Sequence, residues 1–165
     1  MFRMIAIGFF SLIGVTLFGL QSLANWKTQD NTKKGVLGAV ELYKSAPAQA
    51  EHLTKMATKT CLENRSGGEL PAYYTDTLAE PAAATFRFAS QNDFDTTADP
   101  VVQTFVAELQ ETMAGRVSKI AKRMAKEPQD MRNRLTASMN WLTGNRRAAI
   151  DCVGLNVVRL AAAEQ

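Results

Sequence analysis

Histidine, cysteine and aromatic residues are scarce in this sequence of 165 residues, which has 1 histidine, 2 cysteines and 8% aromatics. Two cysteines are too few for a disulfide-dense scaffold or a zinc-finger array, and a single histidine excludes any site that needs two. The absence of C-x-x-C-H excludes covalent haem attachment, and the absence of C-x-x-C argues against thioredoxin-type redox chemistry. The length corresponds to about one domain.

Motifs that carry catalysis or nucleotide binding are also missing, since the chain has no G-x-S-x-G, no G-x-G-x-x-G and no P-loop. His52 follows Glu51, but adjacent residues on a helix do not face each other, so we interpret it as a surface histidine. Carboxylates within residues 63–99 leave an acid-dependent hydrolase as an alternative, although their spacing selects no pair. We predict a non-catalytic protein without metal-binding or cofactor-binding residues.

An apolar N-terminal segment is the sharpest feature that is present. Residues 4–20 carry no charge and follow Arg3. The cationic start, the apolar run and the small residues Ser22 and Ala24 are typical of a secretory signal peptide cut after Ala24. The run is also long enough for a membrane-spanning helix, which needs roughly 17–25 residues. A retained anchor is therefore the competing prediction, and a buried core helix is the third.

This segment divides the chain into three predicted parts. Residues 1–24 are the signal peptide or transmembrane anchor, residues 25–34 are a polar linker, and residues 35–165 are a single helical domain. Both a cleaved signal and a retained anchor place the helical domain outside the cytoplasm.

The two cysteines fit an extracytoplasmic domain, because two cysteines in an exported domain most often pair. A Cys61–Cys152 bridge would close a loop of about 90 residues, for which the chain-entropy model gives about 4–5 kcal/mol. Two buried thiols are one alternative. A metal site that adds His52 and a carboxylate to the cysteines is the other.

Apolar spacing predicts an all-α fold, a small bundle of about four helices behind the N-terminal apolar helix. Apolar residues recur every three or four positions over residues 35–64, Pro47 predicts a break in that helix, and Gly67 and Gly68 predict its end. Residues 65–99 contain several prolines and glycines and predict an irregular connection that carries aromatic residues. Within it, Pro81 and the following alanines favour a short helix, whereas the spacing of Phe86 and Phe88 favours an extended piece.

The most regular apolar stripe follows Asp99 and Pro100, which make a favourable helix start. Its members step by three or four residues over about six turns. They are Val102, Val106, Leu109, Met113, Val117, Ile120 and Met124. Two further helices are predicted, one after Pro128 and one after Asn145, and short turns between them favour antiparallel neighbours.

Charge is distributed unevenly along the chain, although its net charge is only +3. Residues 63–111 hold nine acidic and two basic residues, a net charge of −7. Residues 116–147 hold nine basic and two acidic residues, a net charge of +7. The domain is therefore strongly dipolar along its sequence.

Basic residues of the second stretch form the candidate interaction surface. It consists of Arg116, Lys119, Arg123, Lys126, Arg146 and Arg147. This surface is interpreted either as a solvated face that the acidic stretch partly neutralises, as a contact with anionic lipid, or as a contact with an acidic partner. Nucleic acid is not predicted, because the stripe lacks the interleaved aromatics of single-strand binders.

Arg146 and Arg147 follow Asn145 at a predicted helix start, where cations oppose the helix dipole. Nearby acids are expected to compensate for them, or else the pair meets an anion.

These observations predict an accessory or scaffold protein at the periplasmic face of an inner membrane, which contacts a partner protein or complex. Residues 4–20 would hold it in the membrane if they are not cleaved. The alternative is a soluble periplasmic or secreted binding module or inhibitor, released by cleavage after Ala24.

Overall fold

The computed structural model describes residues 33–92 and 98–164, which are helical except for short turns and contain no strand. The all-α prediction is confirmed, with six helices in these ranges instead of about four. The helices are α1 (residues 33–45), α2 (Pro47–Ser66), α3 (Ala72–Gln91), α4 (Ala98–Met124), α5 (Gln129–Gly144) and α6 (Arg146–Ala163). Residues 33 and 34 belong to α1 and not to the predicted linker.

The predicted apolar segment, residues 4–20, lies outside the described residues. Within residues 33–92 and 98–164, no helix combines the length and the apolar character needed to cross a membrane.

The predicted break at Pro47 and the predicted end of the following helix are both confirmed. α1 ends at residue 45, and Pro47 is the first residue of α2, where its missing N–H costs no hydrogen bond. Gly67 ends α2 with φ 75°, a left-handed conformation that glycine adopts without strain. Its N–H donates to the Glu63 carbonyl at 3.0 Å.

The prediction of an irregular connection over residues 65–99 is wrong, because α3 fills most of it. Pro81 lies inside α3 and is buried with Phe86 against the core. A proline costs a helix interior about 3 kcal/mol or more, so tertiary packing here overrides local propensity. Phe86 is fully buried whereas Phe88 is 44% exposed, as expected when a spacing of two turns residues to different helix faces.

α2 lies at the centre of the bundle and contacts α3, α5 and α6. Its buried face includes two threonines whose hydroxyls are satisfied within the helix. Thr54 donates to the Ala50 carbonyl at 2.7 Å, and Thr58 donates to the Thr54 carbonyl at 2.8 Å. The Tyr43 hydroxyl of α1 donates to Thr54 Oγ1 at 3.1 Å. The polar groups of this interface are therefore paired, as buried polar groups must be.

Two glycines let α1 and α6 approach closely. A Cβ added at Gly154 would lie 3.0 Å from the backbone of Gly35 and Val36. A Cβ added at Gly35 would lie 2.8 Å from the Leu155 backbone nitrogen. Because both neighbours are backbone atoms, neither position has room for a side chain.

A disulfide joins α2 to α6, which confirms the predicted pairing of Cys61 with Cys152 across 91 residues. The Asn156 amide, one turn along α6, donates to the Cys152 carbonyl at 3.0 Å. Its nitrogen also lies 3.4 Å from Cys61 Sγ. The bridge thus fixes the central helix to the last one.

The apolar stripe predicted on α4 faces the core over most of its length, since Leu109 and Ile120 are buried and Val102, Met113 and Met124 are partly buried against the core. Val101, Phe105, Leu109 and Ile120 are buried, whereas Val117 is 47% exposed. Three of these four buried residues lie before residue 110, so the N-terminal half of α4 carries most of its core contact. The two further helices predicted after Pro128 and Asn145 are confirmed, and they bury Leu135, Leu142, Ile150, Val153 and Val157.

Candidate docking surface

The structure divides the six predicted basic residues between two places. Arg116, Lys119 and Arg123 lie on α4 and Lys126 lies in the turn that follows it, whereas the other two begin α6. The Arg147 guanidinium donates to the Asp99 carboxylate at 2.6 Å, in the first turn of α4. Asp99 and Lys119 are separated by about 30 Å of helix, at 1.5 Å per residue. Arg147 therefore does not join the basic residues at the far end of α4.

Acids supply the compensation predicted for Arg147. Besides Asp99, Arg147 has Asp151 at 3.8 Å on its own helix. Burial raises the pKa of Asp151, while the positive charge of Arg147 lowers it. The neighbouring Arg146 has a buried Nε without a hydrogen-bond partner among the described residues.

Two of the basic residues on α4 contact α3. Arg116 pairs with Glu80 at 2.5 Å, and the Arg123 guanidinium lies 3.9 Å from the centre of the Tyr73 ring, a cation–π contact. Next to it, Tyr74 donates to Glu127 at 3.1 Å. Burial, and then this carboxylate, raise the pKa of Tyr74 to about 12. The acidic stretch of the sequence therefore neutralises part of the basic one within the fold.

Three lysines at the C-terminal end of α4 and in the turn after it remain exposed and form no ion pair with any residue in 33–92 or 98–164: Lys119, Lys122 and Lys126. Together with Arg123 they line a shallow concavity of about 530 Å³. Lys122 was not among the predicted residues, although it lies three residues from Lys119 and four from Lys126. That spacing places Lys122 on the same side of the helix and would have predicted it as a member of the surface.

Acidic residues occupy the same side of α4 nearer its N-terminus. Glu108 and Glu111 also form no ion pair with the described part of the chain. With Gly115, Lys119 and the Glu80–Arg116 pair they line a second concavity of about 400 Å³. We name this side the charged face of α4. It consists of Glu108, Glu111, Gly115, Lys119 and Lys122 on α4, and of Lys126 in the turn that continues it.

A third groove, of about 340 Å³, lies between α2 and α3 and bears on the hydrolase alternative. Its rim includes Asp76 and Glu80, which are exposed, and an ion pair of 2.7 Å between Arg87 and Glu51. A catalytic acid usually lies in a pocket that excludes water. Asp76 and Glu80 are instead exposed to solvent at the rim of this groove. Among the described residues there is also no group of three histidine, cysteine or acidic side chains arranged to hold a metal ion.

No family model, no curated protein and no solved structure matches this chain. The described residues define a disulfide-bridged helical domain with one charged helix face. That face is the strongest candidate for a functional site, because its charges are exposed or, at Glu108, half-buried and form no ion pair within residues 33–92 and 98–164, while the helix beneath them is anchored in the core.

Proposed function

We propose that the protein is a non-catalytic accessory or scaffold subunit that docks a partner protein through the charged face of α4. The observation that carries this proposal is the presence of three lysines and two glutamates on one side of α4 and the turn after it, without ion-pair partners in the described residues. Exposed charges of this kind steer association and select partners of complementary charge.

The proposed location is the periplasmic face of a membrane, with residues 4–20 retained as an anchor. The disulfide supports an oxidising compartment, since such bridges are rare in the cytosol of most organisms. The sequence of residues 1–24 supports export. These features support an accessory role, because an anchored helical domain can bind a partner through its surface without a catalytic site.

The α4 contacts support docking without refolding. Arg116 and Arg123 fix the C-terminal half of α4 against α3, through Glu80 and Tyr73 respectively. Lys119 and Lys122, which lie between them, are therefore presented on a backbone that is already ordered. A partner has only side chains to immobilise, which lowers the entropy cost of binding.

Replacement of the lysines tests the docking role. The variant Lys119→Gln/Lys122→Gln/Lys126→Gln removes three charges from the charged face. The matched control Lys55→Gln/Lys59→Gln/Arg159→Gln removes three exposed charges from α2 and α6. The full chain, extracted in mild detergent and run on native gels, should migrate above its own mass. The first variant should lose that complex and the control should keep it. A lone monomer in the wild type would contradict the proposal.

Intact mass tests the location. A full-length mass from natively expressed protein supports the anchor, whereas loss of residues 1–24 would contradict it and favour the released module. Alkylation of Cys61 and Cys152 only after reduction would support the oxidising compartment, and alkylation without reduction would oppose it.

A further inference from the structure

The charges on α4 are arranged symmetrically with opposite sign about one residue. Glu111 and Lys119 each lie four residues from Gly115, and Glu108 and Lys122 each lie seven residues from it. Offsets of four and seven keep all five residues on one side of the helix. At equal distances from Gly115, the face therefore presents an acid toward the N-terminus of α4 and a base toward its C-terminus.

These charges have no ion-pair counterparts among the residues that the structure describes. Glu108 and Glu111 lie eight or more residues from Lys119 and Lys122, too far to pair along one helix. None of the four forms an ion pair with another described residue.

Gly115 itself has no role in internal packing. It is exposed, and a Cβ added there would have no neighbour within 4 Å. A glycine inside a helix costs roughly 0.5–1 kcal/mol relative to alanine. A glycine at this position would be explained by a contact in which another backbone approaches closely, because glycine has no Cβ.

We infer that α4 is the contact helix of a two-fold symmetric dimer, in which a second copy of the chain lies antiparallel across Gly115. This arrangement places Glu108 and Glu111 of one copy beside Lys119 and Lys122 of the second copy, and the symmetry repeats the contact. A parallel copy would oppose like charges. A uniformly anionic lipid surface or acidic protein would be repelled by Glu108 and Glu111.

The inference rests on the proposed docking role of α4 and names its first partner. Packed helices lie 8–10 Å apart with Cα atoms about 2.3 Å from each axis, so the two Gly115 Cα atoms would lie about 3.4–5.4 Å apart, a range that overlaps the one a disulfide needs. A disulfide accepts Cα separations of about 4.4–6.8 Å.

Cysteine crosslinking tests the two-fold axis. The chain's 2 cysteines are joined to each other, so Gly115→Cys introduces a single unpaired thiol in the full-length protein. Under mild oxidation in detergent it should form a disulfide dimer several-fold faster than Ser118→Cys. Ser118 is exposed on the same helix, but its symmetry mate would lie about 9 Å away along the axis.

Charge exchange tests the complementarity. The acid-reversed variant Glu108→Lys/Glu111→Lys and the base-reversed variant Lys119→Glu/Lys122→Glu would each oppose like charges. For each variant alone, the dissociation constant of the dimer, measured by sedimentation of the full chain, should therefore rise about tenfold or more. An equimolar mixture should restore the dimer, since each chain then meets the other's opposite charge.

Three results would overturn the inference. One is equal crosslinking at the two cysteine positions. Another is dimerisation of every charge variant to the same extent, which would place the contact elsewhere. The third is a wild-type chain that does not self-associate but co-purifies with another protein, when only the base-reversed variant fails to bind that protein. That result would assign the face to a foreign acidic surface and leave the proposed docking function standing.

Discussion

The bundle centre and the C-terminal half of α4, residues 112–124, use their side chains in opposite ways. At the centre, α2 has neighbours on several sides, a disulfide to α6 and hydroxyls paired within the helix. The C-terminal half of α4 buries Ile120 and otherwise presents partly or fully exposed residues. At the centre, side chains pack against neighbouring helices, whereas this half presents charged side chains to the solvent.

This difference separates stability from interaction. Close packing and covalent closure contribute to the free energy of unfolding, and their loss leaves cavities, clashes or a less constrained unfolded chain. Exposed charges contribute little to stability, because water screens them in both folded and unfolded states. Substitutions at the centre should therefore change unfolding, and substitutions on the charged face should change association.

The largest expected effect is loss of the disulfide. Replacing Cys61 and Cys152 together by alanine should lower the free energy of unfolding by about 2–5 kcal/mol, because the bridge closes a loop of 91 residues in the unfolded chain. Urea unfolding of the full chain with and without reductant measures the effect. Reductant should destabilise the wild type and leave the double variant unchanged. An equal response of both proteins would show that the bridge does not stabilise the fold.

Features of the sequence that act locally predicted much of this centre. The helical class follows from apolar spacing, the break before Pro47 from the missing N–H of proline, and the end at Gly67 from the left-handed conformation of glycine. The pairing of Cys61 with Cys152 followed from the cysteine count and from the predicted export of the domain.

Features that depend on the neighbouring helices were beyond the sequence. Pro81 is tolerated in α3 because the surrounding residues are buried, and α4 buries Phe105 but leaves Val106 of the predicted stripe only partly buried. Both depend on which helix packs alongside. The candidate surface shows the same limit, since a sequence does not reveal that Arg116 pairs with Glu80 while Lys122 forms no ion pair in the described part of the chain.

A smaller effect is expected where α1 and α6 touch. Gly154→Ala should destabilise the protein by about 1–3 kcal/mol, because its Cβ would press on the backbone of Gly35 and Val36. Gly144→Ala is the matched control, since a Cβ there meets nothing within 4 Å. The control should be neutral or slightly stabilising in thermal unfolding. Equal melting temperatures for the two variants would argue against the close helix contact.

The buried hydrogen bond between Tyr43 and Thr54 should contribute less again. Tyr43→Phe leaves the Thr54 hydroxyl without its donor and should cost about 0.5–1.5 kcal/mol at pH 7. Burial raises the pKa of Tyr43 to about 12, from an ordinary value near 10 in the unfolded chain. The folded state therefore keeps its proton longer than the unfolded state as the pH rises.

This pKa difference fixes the sign of a pH dependence. Stability from neutral Tyr43 is fully present below pH 10 and is lost as the pH rises from about 10 to about 12. The stability gap between wild type and Tyr43→Phe should narrow over that interval in urea unfolding. The pKa of Tyr74 is raised to about 12 as well, so both proteins should also lose stability in common. A gap that stays constant with pH would contradict the assigned burial of Tyr43.

The smallest effect on stability is expected on the charged face of α4. The triple variant Lys119→Gln/Lys122→Gln/Lys126→Gln should unfold within about 0.5 kcal/mol of the wild type, because these lysines are exposed and form no ion pair with the described residues. Arg116→Ala, which breaks the exposed pair with Glu80, should cost at most about 1 kcal/mol. A larger loss in the triple variant would mean that the lysines stabilise the fold. It would also weaken the separation between a centre built for stability and a helix face left available for binding.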